Sequence, residues 1–184
     1  MLHLQASASN DDALAKQLAE ASSRVSAVGR AYERLAYDEN VETIALDAYL
    51  KDVCADAVRA SSHCQLDYAA DSRVRVDADR AIPTALIANE LITNAAKHAF
   101  SKGSSPGRIG VRLTKATDAT ISLSVSDDGP GLPRDFEMAK SKGLGMRVVM
   151  ALAKQLDGNI THHSSGSGTE FILSVPISSR GHDF

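Results

Sequence analysis

The chain has 184 residues, room for one domain of ordinary size plus a short appendage. Hydrophobic residues make up 43% and charged residues 23%, a soluble globular balance that excludes a mainly disordered chain. Lys and Arg total 20 against 23 Asp and Glu, and the resulting net charge of -3 gives no support to a nucleic-acid-coating or membrane-surface protein.

Leu14, Leu18, Ala21, Val25, Val28, Tyr32 and Leu35 follow one another at alternating steps of four and three. This is a heptad seam, with Ser, Arg, Glu and Lys on the other faces. Asn10 suits an N-cap, and Asp11 and Asp12 suit the positive end of a helix dipole. The spacing predicts a helix over residues 11–37, a rod of roughly 40 Å at ~1.5 Å per residue. So narrow a stripe needs a partner helix, either in a bundle or dimer or on the helix's own domain. Met1, Leu2 and Leu4 read as the last turn of an earlier helix, with a tight turn at residues 7–10.

From Val41 the texture changes. Residues 41–46 read as a short strand, and Asp47 as the cap of a helix over 48–60 with Leu50, Val53, Cys54 and Ala57 inward. Residues 63–69 and 73–78 look like a hairpin turning near Asp71 and Ser72. Pro83 fits the first turn of a helix running to about Ala99. Strands are expected at 108–115 and 120–126, a Gly/Pro-bearing loop at 127–143, a helix at 144–156, and strands at 159–163 and 170–176 joined by an SSGSG turn. Strands and helices mix without strict alternation, so an α/β sandwich with a mixed sheet is expected. Cys54 and Cys64 lack CxxC spacing and read as reduced thiols, which predicts a cytoplasmic protein. No apolar run reaches the ~18 residues of a bilayer span. The first twelve residues carry neither a basic start nor a long apolar stretch, so no signal peptide and no membrane contact are expected.

Four stretches carry chemistry. In NELITNAAKHAF, Glu90 and Asn94 stand four apart and share one helix face, which Lys97 and His98 extend. A carboxylate and an amide oxygen one turn apart can hold a hydrated Mg²⁺ against phosphate oxygens; a solvated polar stripe has the same pattern. In VSDDGPGLP, Asp127 ends an apolar alternating strand, and Gly129 and Gly131 follow within a turn. Glycines there would let a flat ring approach, and a carboxylate could accept from an exocyclic amine; an ordinary strand-ending turn reads alike. Gly143, Leu144 and Gly145 open a helix whose free N–H groups suit an anion. Thr169, in GSGTEF, starts a strand.

The order N-E-x-x-x-N-A-x-K-H, D-D-G-x-G, G-L-G-M and G-T-E-F resembles the N box, the two glycine boxes and the closing GT element of the GHKL ATPase superfamily, which joins gyrase, Hsp90, MutL and the histidine kinases. Within it, ANELITNAAKHAF and RVSAVGRAYERL resemble bacterial sensor histidine kinases of the subclass whose phosphoacceptor helix reads H-R-V-K-N-N-L-Q. The resemblance spans residues 1–176. It implies a Bergerat sandwich, with helices over one face of a mixed sheet, preceded by a long helix of a dimerisation bundle. The implied domains are a partial dimerisation hairpin at 1–40, a catalytic ATP-binding domain at 41–178, and a tail at 179–184.

The resemblance also implies roles. Glu90 would orient or deprotonate the attacking group through metal-bound water. Asn94 would ligate Mg²⁺, Lys97 would contact phosphate, and His98 would add a second polar contact. Asp127 would accept the adenine amino group, and Gly129 and Gly131 would admit the purine. Gly143, Leu144 and Gly145 would form the lid hinge and triphosphate cradle. Thr169 would meet adenine, often through water. Phe136 is the stand-in for an F box in the short lid of residues 132–142, and Lys140 and Lys142 read as lid charges facing phosphate or solvent. The phosphoacceptor position falls well before His3 in the same helix, and no H-R-V-K-N-N-L-Q motif stands in these residues. His3 is then a displaced acceptor or a bundle histidine, and His162 and His163 read as structural or exposed.

The implied function is the ATP-binding catalytic region of a two-component sensor histidine kinase, passing the γ-phosphate to a histidine and on to an Asp of a response-regulator receiver domain. The implied cofactors are ATP and Mg²⁺, and the implied assembly is a homodimer through the N-terminal helix. Rival readings are an anti-sigma-type serine kinase, against which the heptad helix argues, and a non-enzymatic dimeric module that docks a receiver.

Overall fold

In a computed structural model of the chain, residues 43–59, 64–71, 74–100, 107–141 and 143–177 are described. Contacts divide the chain into Met1–Asn40 and Val41–Phe184. The heptad seam, the N-terminal turn, His3, Lys142 and the tail lie outside the described residues.

Alternating residues build the central sheet. In β4 (Gly107–Thr117), Ile109, Val111 and Leu113 are buried while Arg108 and Arg112 are exposed. In β5 (Thr120–Asp127), Ile121, Leu123 and Val125 are buried. In β7 (Gly168–Pro176), Thr169, Phe171, Leu173 and Val175 are buried. With β2 (Cys64–Ala70) and β6 (Asn159–Ser165) these strands form one five-stranded sheet, ordered β2-β4-β5-β7-β6. The β2–β4 pair is parallel and the other three pairs are antiparallel. The expected mixed sheet is therefore present.

Three helices cover one face. These are α1 (Leu46–Arg59), α2 (Ala78–His98) and α3 (Leu144–Gln155), with α2 touching both of the others. Ala81, Ala85, Ala88 and Ala95 let α2 lie close, and Ile87, Leu91 and Ile92 fill the space beneath it. In α1, Leu46, Tyr49, Leu50, Cys54, Ala57 and Val58 are buried; Val53 is half-buried. Burial pushes the Cys54 thiol up to about 12, so it packs as a small hydrophobe and not as a nucleophile.

Two expectations need correction. Residues 63–69 and 73–78 do not form a hairpin. β3 (Arg75–Val76) pairs with β1 (Ile44–Ala45), while β2 runs parallel beside β4. Asp71 extends the β4 ladder instead of turning: its N–H donates to the Leu113 carbonyl at 3.0 Å, and its Oδ2 accepts from Lys115 N–H at 2.9 Å. Pro83 is not in the first turn of its helix, since α2 already begins at Ala78. The N–H that Pro83 lacks would have met the carbonyl of Asp79, an exposed residue in the first turn of the helix, where water can serve it. Likewise Asp47 stands inside the first turn of α1 and does not cap it.

A buried arginine ties the elements together at one end. Arg80 Nη1 donates to the Leu156 carbonyl at 3.1 Å and to the Pro176 carbonyl at 2.8 Å. This joins the start of α2 to the ends of α3 and β7. The opposite ends of the same three elements meet at the functional site.

Candidate nucleotide site

The C-terminal half of α2, the end of β5, the start of β7, the loop after Gly131 and the start of α3 enclose a cavity of about 440 Å³. Its wall carries Asn94 and His98 from α2, Asp127 from β5, Gly131, Gly143 and Gly145 from the loop and α3, and Thr169 from β7. Leu91, Met146, Phe136 and Phe171 supply apolar surface. A mostly apolar cleft with a few convergent polar groups is the usual form of a small-molecule site.

The two adjacent aspartates have separate tasks. Asp128 Oδ1 accepts from Arg108 N–H at 2.8 Å and holds the edge of β4. Asp127 faces the cavity, and its Oδ1 accepts from Gly129 N–H at 2.9 Å. Burial pushes the Asp127 carboxyl above its ordinary value; hydrogen bonds from the Gly129 and Thr169 backbone pull it partly back, and Asp128 adds a further upward push. A half-buried carboxylate with acceptor capacity turned to an apolar cleft is suited to an N–H donor.

Two glycines let the chain close around it. Gly131 has φ +80, and a Cβ there would stand 2.0 Å from the Ser165 carbonyl oxygen. Gly168 has φ +144, and a Cβ would stand 2.1 Å from the Asp127 carbonyl oxygen. Neither position admits a side chain. Gly143 differs: the nearest atom to its Cβ would be Ser141 Oγ at 3.8 Å, so packing within the protein does not demand glycine there. Gly143 is the N-cap of α3, whose first internal bond runs from Arg147 N–H to the Gly143 carbonyl. The N–H groups of Leu144, Gly145 and Met146 precede that bond and have no partner within the helix.

The loop rests on the β6–β7 edge. Leu132 N–H donates to Ser164 Oγ at 2.7 Å. The Phe136 ring meets His162 edge-on at 5.4 Å, and His162 in turn lies 5.8 Å from Phe171. His162 is thus structural, and Phe136 reaches the cavity wall.

Of the other predicted site residues, Glu90 is 4% exposed and lies one turn before Asn94, off the cavity wall. Lys97 is exposed in the last turn of α2. Gly129 is buried against Ala99. Leu144 is 54% exposed at the start of α3. Lys140 pairs with Glu137 at 2.8 Å on the surface of the loop. Sequence reasoning missed Ser164, Phe171 and the backbone role of Gly168; only the glycine, beside Thr169, left a local signal.

Residues 79–179 match the family of histidine kinase-, DNA gyrase B- and HSP90-like ATPases. The chain belongs to that family. Its fold is accordingly that of a GHKL ATP-binding domain. Residues 1–61 match a second family, described as histidine kinase. Sensor histidine kinase PdtaS of Mycobacterium tuberculosis (strain CDC 1551 / Oshkosh) is 29% identical over 185 residues, covering 98% of this chain and 36% of that protein. Blue-light-activated histidine kinase 2 of Erythrobacter litoralis (strain HTCC2594) is 31% identical over 144 residues, covering 74% of this chain and 40% of the relative. The chain thus spans well under half the length of these relatives. The solved histidine kinase domain of the Erythrobacter litoralis EL346 blue-light activated kinase superposes with a TM-score of 0.78 at 28% identity, over 86% of this chain and 80% of that one. Among the described residues, no helix is long and apolar enough to cross a membrane.

Proposed function

We propose that this chain is the catalytic region of a two-component sensor histidine kinase, moving the γ-phosphoryl group of ATP to a histidine and from there to an Asp of a receiver domain. The observation that carries this reading is the convergence of Asn94, Asp127, Gly131, Gly143, Gly145 and Thr169 on one cavity.

The residues present suit Mg-ATP. Asp127 accepts the amino group of the purine while Gly131 and Phe136 flank the ring. The N–H groups at the start of α3, which have no partner within the helix, would receive the phosphates. Asn94 offers an amide oxygen to Mg²⁺, with Lys97 and His98 on the same helix end for phosphate charge. Among the described residues no group of three His, Cys, Asp or Glu is placed to hold a metal. That fits Mg²⁺, which is usually held by one or two protein ligands with substrate phosphates and water. When bound, it neutralises charge on the transferring phosphoryl group. An imidazole nitrogen lone pair forms the new P–N bond, the bond between the γ-phosphorus and the bridging oxygen breaks, and ADP leaves with that electron pair. Glu90, buried one turn before Asn94, would act through metal-bound water to orient the attacking imidazole or take its proton. Positioning and charge neutralisation dominate such a step.

The heptad of residues 14–35 and the histidine kinase match over residues 1–61 support a homodimerising hairpin at 1–40. Residues 41–178 would then be the catalytic domain and 179–184 a tail. A cytoplasmic site fits the free Cys54 and Cys64. The test incubates the chain with γ-labelled Mg-ATP and a full-length relative bearing an H-box histidine but inactivated in its own ATP site. Acid-labile label on the relative, abolished by Asn94→Ala in this chain, is expected. Label that survives Asn94→Ala, or no transfer despite ATP binding, would reject the reading.

A further inference from the structure

We propose that Ser164 is a positioning residue that sets the donor direction of the Thr169 hydroxyl and thereby makes the pocket select a 6-aminopurine over a 6-oxopurine. The inference rests on the nucleotide reading above and adds a residue outside the cavity wall.

Three strands place the groups in one row. Ser164 on β6 stands directly opposite Thr169 on β7, and Thr169 stands opposite Asp127 on β5. Thr169 is 5% exposed and lines the cavity. Its Oγ1 lies 3.4 Å from Ser164 Oγ, and Ser164 Oγ also accepts from Leu132 N–H at 2.7 Å. A serine hydroxyl has one hydrogen and two lone pairs. Leu132 takes one lone pair, which leaves the hydrogen available to Thr169. At 3.4 Å this contact is stretched relative to a resting O–H···O bond of about 2.8 Å, so it orients the threonine without clamping it.

The Thr169 hydroxyl then keeps its own hydrogen for the cavity. The wall therefore offers an acceptor at Asp127 beside a donor at Thr169. A 6-aminopurine presents the complement, an exocyclic N–H donor beside a ring-nitrogen acceptor, taken directly or across one water. A 6-oxopurine presents an acceptor beside an N–H donor, which reverses both contacts. The same serine receives the first backbone N–H of the loop after Gly131, so the base reader and the base of the lid share one hydroxyl.

The experiment measures by calorimetry the affinity of the whole chain for Mg-ATP, Mg-inosine triphosphate and inorganic triphosphate. It compares wild type, Ser164→Ala and Ser164→Thr. Wild type is expected to prefer ATP over inosine triphosphate, and Ser164→Ala to cut that preference about fivefold to tenfold, the scale of one oriented hydrogen bond. Inorganic triphosphate affinity should hold within about twofold. Ser164→Thr, which keeps the hydroxyl, should restore the preference. An unchanged preference in a folded Ser164→Ala, or parallel loss of all three ligands, overturns the proposal. Failure of wild type to bind ATP at all would instead remove the nucleotide reading beneath it.

Discussion

Asp127 concentrates the site's chemistry in one side chain. Its carboxyl is raised by burial, so the folded domain holds the ionised form less favourably than the unfolded chain does. The stability it contributes is therefore complete at acid pH, below the ordinary Asp value, and is lost as pH rises through its elevated folded value. Asp127→Asn is expected to leave the ligand-free domain no less stable at pH 7, with the comparison shifting toward wild type as pH falls. The same change should weaken ATP by about tenfold or more, and inorganic triphosphate far less. Thermal unfolding at pH 4.5 and 7 checks the first part, and calorimetry with both ligands checks the second. Equal loss of ATP and triphosphate would mean that Asp127 does not read the base. The neighbouring Asp128 has no such duty, because its carboxylate is spent on the backbone of Arg108.

At the scale of elements, α2 runs between two ends with different tasks. Its start is fixed by Arg80, and its last turns carry Asn94 and His98 into the cavity. Arg80→Met keeps much of the apolar bulk but strands the Leu156 and Pro176 carbonyls. A loss of about 2–4 kcal/mol is expected, since a buried acceptor deprived of a charged donor costs ~1–3 kcal/mol. Urea unfolding measures this. ATP affinity of the folded variant should be unchanged, because the clamp lies at the far ends of α3 and β7. A parallel drop in ATP affinity would show that the clamp also sets the site. The loop after Gly131 is likewise a matter of elements. It is seated on β6 and β7 by Ser164 and by the Phe136–His162–Phe171 stack.

For the whole molecule, the heptad of residues 14–35 predicts association. Sedimentation is expected to give a dimer at micromolar concentration, converted to monomer by the double substitution Leu14→Asp and Leu18→Asp. The double variant should keep its ATP affinity, because every cavity residue comes from the Val41–Phe184 unit. A wild-type chain that stays monomeric at high concentration would reject the dimer.

Local chemistry alone determined a good part of this protein. The spacing of Asn94 and His98 on one helix end, the DG turn after Asp127, the GLG helix start and the alternation within β4, β5 and β7 are all properties of short windows, and each is found where its window put it. What joins distant windows needed the tertiary structure. The alternation of residues 74–77 is real, with Val74 and Val76 buried, yet alternation names no partner. The pairing of β2 with β4 and of β3 with β1 is settled by which apolar faces can be covered together. Pro83 reads as a helix start because its missing N–H is harmless there, and only the packed helix shows that water can serve the exposed Asp79 one turn earlier. Arg80 and Ser164 left no trace in the sequence: an arginine in a helix and a serine in a strand are ordinary until a carbonyl 96 positions away, or a hydroxyl on the next strand, comes within bonding distance.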